Sequence, residues 1–141
     1  MSRRQPILGH AEAAAAIDAI RRELERNGKA AVIAVVDAHG ELIAFLRMDG
    51  AQVGSIGLSL NKAYTAARLR RTSRALGERL ATGIDLAYYG DARYTGFGGG
   101  VPVIVDGVTL GAVGVSALSD EQDEALANIG VAILADAARA G

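Results

Sequence analysis

The chain has 141 residues, half of them apolar, with a formal charge of -1 and no cysteine. Its length suits one domain around one core. The absence of cysteine excludes disulfides, thiolate catalysis, iron–sulfur ligation and CxxCH haem attachment. The near-neutral charge excludes a global basic field for nucleic acid. No apolar run reaches the roughly 18 residues of a membrane span. The opening MSRRQPILGH has two arginines and no apolar core before a cleavage site. No secretory signal is read there, and the cytoplasm is the expected compartment.

Ala13, Ile17, Ile20 and Leu24 recur at helical spacing and predict a helix over 10–26, stopped by Asn27-Gly28. The β-branched run 30–36, the turn Asp37-Ala38-His39-Gly40 and the return 41–48 predict two strands. In the second, alternation puts Leu42, Ala44, Leu46 and Met48 on one face and Ile43, Phe45 and Arg47 on the other. After Gly50 a helix is expected over about 53–71, with Ile56, Leu60, Ala63 and Ala67 as its core stripe and Ser55, Ser59 and Lys62 as a polar line. Its small-residue face permits close packing, against another subunit among the options. Ser73 is the expected cap of a short helix through Leu80. The stretch 81–100 is long and irregular, with one short strand expected in it, and holds Tyr88, Tyr89, Tyr94 and Phe97. Strands 101–105 and 108–116 flank the hairpin signal Asp106-Gly107. Ser119 and Gln122 form a capping box for a last helix to about Ala138. The class is α+β, in one domain over 1–141. A single antiparallel sheet carries helices on one face, in the order α-β-β-α-α-β-β-β-α.

Several polar residues stand where chemistry could be presented. Arg47 and Asp49 are two apart on extended backbone and so share a face. They can bind and protonate a small polar ligand, or pair with each other to close the turn at Gly50. Lys62 and Thr65 share a helix face; a partly desolvated Lys62 would be an anion hook or an acid–base group, and otherwise a surface lysine. Asn61 is either exposed or holds a water. Gly99 and Gly100 open a strand rather than a helix, so they are no dinucleotide fingerprint; they make either an anion nest or a turn. His10 and His39 have no metal-pair spacing, and no metal site is expected. Asp120, Glu121, Asp123 and Glu124 suit a helix start, or a cation held in an oligomer. Arg68, Arg70, Arg71 and Arg74 read as a solvated helix end.

The chain also resembles a known family. Arg47-Met48-Asp49-Gly50, Ser55, Lys62-Ala63, Thr65-Ala66 and Thr72 carry the likeness. So do Gly99-Gly100-Val101-Pro102, the run from Gly111 to Ser116, and Glu121-Gln122-Asp123-Glu124. In this order they are similar to the GlcG/HbpS family, the haem-degrading or PduO C-terminal-like domains. Where that family usually has glycine after Ser116, this chain has Ala117. The resemblance implies a profilin/PAS-like layered sheet, a homo-oligomer of two or more chains, and a small-molecule ligand between sheet and helices. Haem or another tetrapyrrole is the implied ligand and haem the candidate cofactor, with no cofactor fixed by the residues themselves. His10 is a candidate axial ligand. Thr65, Asn61, Gly99 and Gly100 are candidate contacts, and Tyr88, Tyr94 and Phe97 are the expected pocket wall. The alternative is a cofactor-free hydrolase, hydratase or isomerase. There Asp49 would be the acid, with Lys62 and Arg47 clamping an anion, and the substrate an enol ether, enone or epoxide.

Overall fold

The structure is a computed structural model describing residues 6–141. Met1 to Gln5, part of the stretch read for a secretory signal, lie outside the described residues. Helix α1 spans His10–Arg26 and buries Ala13, Ala16, Ile17, Ile20 and Leu24, the stripe its periodicity dictates. Gly28, at φ +67°, turns the chain out of it. Strands β1 (Val32–Asp37), β2 (Leu42–Arg47), β3 (Gly100–Val105) and β4 (Val108–Ser116) form one antiparallel sheet in the order β2-β1-β4-β3. Helix α2 spans Gly54–Leu69, α3 Ser73–Leu80 and α4 Asp120–Ala140.

The α+β class and the single sheet are as the sequence implies, but both faces of the sheet are covered. Ile33, Val35, Val113 and Val115 pack with α1 and α4. Ala34, Val36 and Ala112 pack with Ala63, Ala66 and Ala67 of α2. The second layer rests on small residues because α2 lies almost on the backbone of the sheet. A Cβ on Gly114 would stand 2.2 Å from the Ser59 carbonyl oxygen and 2.7 Å from the Ala63 nitrogen. The small-residue face of α2 therefore packs on this chain's own sheet. Alanine and glycine carry little hydrophobic signal, which is why that face reads as uncovered in the sequence.

Three local readings change. The stretch 81–99 contains no strand; a 3₁₀ helix at Leu86–Tyr89 and turns fill it, and β3 opens at Gly100. Thr72, not Ser73, caps α3: it has extended backbone, and its Oγ1 accepts from the Ala75 N–H at 3.2 Å. Ser73 is buried, and its Oγ accepts the Gly100 N–H at 2.9 Å. In β2, Ala44 pairs with Val35 but Leu42 with Val36, so Ile43 is a bulge residue. The bulge breaks the expected alternation: Ile43 packs on the same cluster as Ala44, and Leu42 is left 52 % exposed.

Candidate functional site

β2 ends at Arg47, opposite Val32 of β1. The Met48 N–H extends the ladder by donating to the Ala31 carbonyl at 3.1 Å, and Gly50, at φ +87°, turns the chain away. Alternation then buries Met48 and exposes its neighbours Arg47 and Asp49. All three line an open groove of about 450 Å³ between the C-terminal end of α1 and the end of β2, with Lys29, Ala30 and Leu46. Its floor is apolar and its rim is charged. Arg21 on the rim is held by Glu25 at 2.9 Å. Arg47, Asp49 and Lys29 have no oppositely charged side chain within ion-pair range among the described residues. Arg47 and Asp49 thus share an edge without pairing.

Lys62 stands elsewhere. It is 3 % exposed, and its Nζ donates to Asp123 Oδ2 and to the Val115 carbonyl, both at 3.1 Å. Asp123 is 1 % exposed and also accepts the Leu118 N–H at 3.0 Å and the Ala117 N–H at 3.4 Å. This ion pair ties α2 to the end of β4 and the start of α4. The sequence reading left Asp123 among the helix-start acids. The signal that separates it is spacing: Asp123, Leu126, Ala127, Gly130 and Leu134 make the buried face of α4. The methyl of Ala117 is on the exposed surface.

The remaining expected residues mostly anchor the long loop. Thr65 is fully buried, and its Oγ1 accepts the Thr95 N–H at 3.0 Å. Gly99 and Gly100 are buried where the loop dives into the fold. A Cβ on Gly100 would meet the Lys62 carbonyl oxygen at 2.1 Å, and one on Gly99 would meet the Val115 oxygen at 2.4 Å. The Tyr94 ring packs 5.4 Å from that of Tyr64 and 5.7 Å from that of Tyr89. Tyr64 donates its hydroxyl to Asp91, and the Arg93 guanidinium lies 4.0 Å over the Tyr64 ring. The Tyr64 hydroxyl, then the backbone N–H and guanidinium of Arg93, hold the Asp91 carboxyl well below the usual carboxylate range. Burial, then the bond to Asp91, pushes the Tyr64 hydroxyl up. Tyr88 and Phe97 are 86 % and 57 % exposed. Asn61 is half-buried on α2, and His10 is exposed at the start of α1. The expected residues thus fall into the β2-end groove, a buried clasp and a loop anchor, rather than one site. Sequence reasoning missed Lys29 in the groove, as well as Asp91 and Asp123.

No group of three or more His, Cys, Asp or Glu side chains could hold a metal ion among the described residues. No helix described is long and apolar enough to cross a membrane.

A four-stranded antiparallel sheet with helices on both faces makes this a small α+β domain. Residues 8–132 match the family model described as "Haem degrading protein HbpS-like". Protein GlcG of Escherichia coli K12 is 40% identical over 110 residues, covering 78% of this chain and 81% of GlcG. The crystal structure of Klebsiella pneumoniae ORFY superposes with a TM-score of 0.84 at 32% identity, covering 95% of this chain and 96% of that one. A crystal structure described as a PduOC–heme complex gives 0.83 at 27% identity, covering 91% and 95%. The chain belongs to the HbpS-like family.

Proposed function

We propose that this protein binds a tetrapyrrole, haem in the first place, in the groove at the end of β2. The observation that carries the reading is the state of Arg47 and Asp49. Both belong to the motif shared with the family, both are exposed, and neither has an ionic partner among the described residues. With no ionic partner inside the chain among the described residues, they are available to something outside it. The groove suits an amphiphilic planar molecule. Leu46, Met48 and Ala30 offer an apolar floor, while Arg47 and Lys29 offer cations for carboxylate side groups. Met48 supplies the one soft donor among the lining residues, a thioether of the kind that ligates haem iron. His10, exposed at the head of α1, does not line this groove. The likeness to the PduOC–heme complex and the family's haem-degrading description support the same ligand class.

The groove is open, so one chain covers only part of a tetrapyrrole. A second copy closing over it fits the reading, and the homo-oligomer is part of this proposal. Cofactor-free acid–base catalysis by Asp49 and Lys62 is not favoured. Lys62 is buried with both acceptors in place, while Asp49 faces solvent at the groove. The test is a haemin titration of the purified protein followed at the Soret band. A saturable shift of the band is expected; a spectrum that stays that of free haemin at every ratio counts against the reading.

A further inference from the structure

The corner where α2 passes into α3 concentrates uncompensated positive charge. Arg21, Arg22, Arg26, Arg74, Arg93 and Arg139 each lie within ion-pair range of a carboxylate. Arg47 at the β2 end and Arg68, Arg70, Arg71 and Arg79 do not, among the described residues, and the last four fall in one short stretch of chain. Arg68 is engaged by the Tyr94 hydroxyl at 3.2 Å and by the Tyr64 ring. Arg70, Arg71 and Arg79 remain; Arg70 faces away from α3, beside His39 and Thr109, whereas Arg71 and Arg79 both line a groove of about 300 Å³ along α3.

The rest of that groove has a definite chemistry. Thr72, Ala75, Leu76 and Arg79 are spaced i, i+3, i+4 and i+7, so they lie on one face of α3. Leu69 and Tyr89 of the neighbouring elements also line it. Leu69, Ala75 and Leu76 make an apolar middle. Arg71 stands at the N-terminal end of α3, where the first N–H groups have no intrahelical acceptor and the dipole favours an anion. Arg79 stands two turns on, about 10 Å along the axis from Thr72 at 1.5 Å per residue. A cation therefore stands at each end of an apolar strip. The volume is at the lower end of the range for small-molecule sites, so the ligand is short.

We propose that this groove is a second ligand site, taking a small dicarboxylic acid with one carboxylate on Arg71, the other on Arg79 and its methylene chain on Leu69, Ala75 and Leu76. The site is independent of the tetrapyrrole reading and is tested without haem.

The experiment is a calorimetric and NMR titration of the whole protein with adipate, hexanoate and inorganic phosphate at fixed ionic strength. Adipate should bind at least roughly tenfold more tightly than hexanoate, because only the diacid reaches both guanidiniums. Phosphate should bind more weakly still. Backbone amides from Arg71 to Arg79 should shift together with adipate. Arg71→Gln and Arg79→Gln should each bring adipate down to the level of hexanoate, while Arg139→Gln changes nothing. If a glutamine variant fails to fold, Arg71→Lys and Arg79→Lys keep the charge and lose the planar fork, and should give an intermediate loss. Adipate binding no tighter than hexanoate or phosphate, or binding unchanged in the Arg71 and Arg79 variants, overturns the proposal.

Discussion

Lys62 and Asp123 make the residue-scale feature with the largest energetic consequence, and removing either partner is not equivalent. Asp123→Ala leaves a buried ammonium with only the Val115 carbonyl and strands the Leu118 N–H. Lys62→Met keeps the stem and leaves Asp123 with two backbone donors. Breaking a buried pair costs about 3–5 kcal/mol, so Asp123→Ala should fall in that range and Lys62→Met below it. Urea melts of the two variants and of Lys62→Met with Asp123→Leu together check this. The double variant should recover much of the loss, and equal costs for the two single variants would contradict the account. Asp91 gives a pH dependence with a definite sign. Its folded pKa lies below the ordinary 3.8. A carboxylate held down stabilises the fold above its ordinary pKa, and that contribution fades as pH falls through 3.8 toward the depressed value. Tyrosine fluorescence of the loop anchor should therefore change on acidification below about pH 4. In Tyr64→Phe the acid midpoint should lie at higher pH, since the largest cause of the depression is gone. An unchanged acid midpoint in that variant would contradict the assignment.

Among the elements, α2 lies closest to the sheet, and its glycine contacts set the tolerance of the fold. Gly114→Ala drives a methyl into the Ser59 carbonyl and the Ala63 nitrogen, and it should cost about 1–3 kcal/mol by overpacking. Gly57 is the internal control. It lies on the same helix with nothing within 4 Å of an added Cβ, so Gly57→Ala should stabilise by about 0.5–1 kcal/mol through helix propensity. Thermal melts that rank the two the other way would place α2 incorrectly. The elements were legible where periodicity is strong. α1 spans the predicted 10–26, α3 ends at Leu80 as expected, and the capping box of Ser119 and Gln122 is present. What stayed hidden depends on tertiary partners. The cover of the second sheet face rests on alanine and glycine, the β2 bulge has no turn residue to mark it, and the loop 81–100 is ordered by distant groups such as Thr65 and Ser73. The groove was half legible: Arg47 and Asp49 stand out by motif and alternation, whereas Lys29 joins them only through the end of α1.

At the scale of the whole molecule, assembly depends on which apolar groups the fold leaves exposed. Leu126 is buried, and Ile129 and Ile133 pack on the core of the same chain, so the last helix offers no spare apolar face there. The exposed large apolar groups among the described residues are instead Ile7, Leu42, Val53, Tyr88, Phe97, Ile104 and Val108, with Tyr88 and Ile7 the most exposed at 86 % and 85 %. Exposed apolar surface of this kind is what contact between subunits covers. Light scattering at micromolar concentration should give a dimer or larger, and a stable monomer would remove the second copy from the proposed site. The central claim is that the β2-end groove holds a tetrapyrrole. Its most direct test is the Soret titration of haemin into four proteins side by side: the parent chain, Arg47→Gln with Lys29→Gln, Met48→Leu, and Arg71→Gln. Loss of the two rim cations should weaken binding roughly tenfold or more through the lost charge-assisted bonds. Met48→Leu should move the position of the band, because the soft donor is gone. Arg71→Gln, away from this groove, should titrate as the parent does. Equal affinity and an identical band in all four proteins, or no uptake by the parent, would contradict the account.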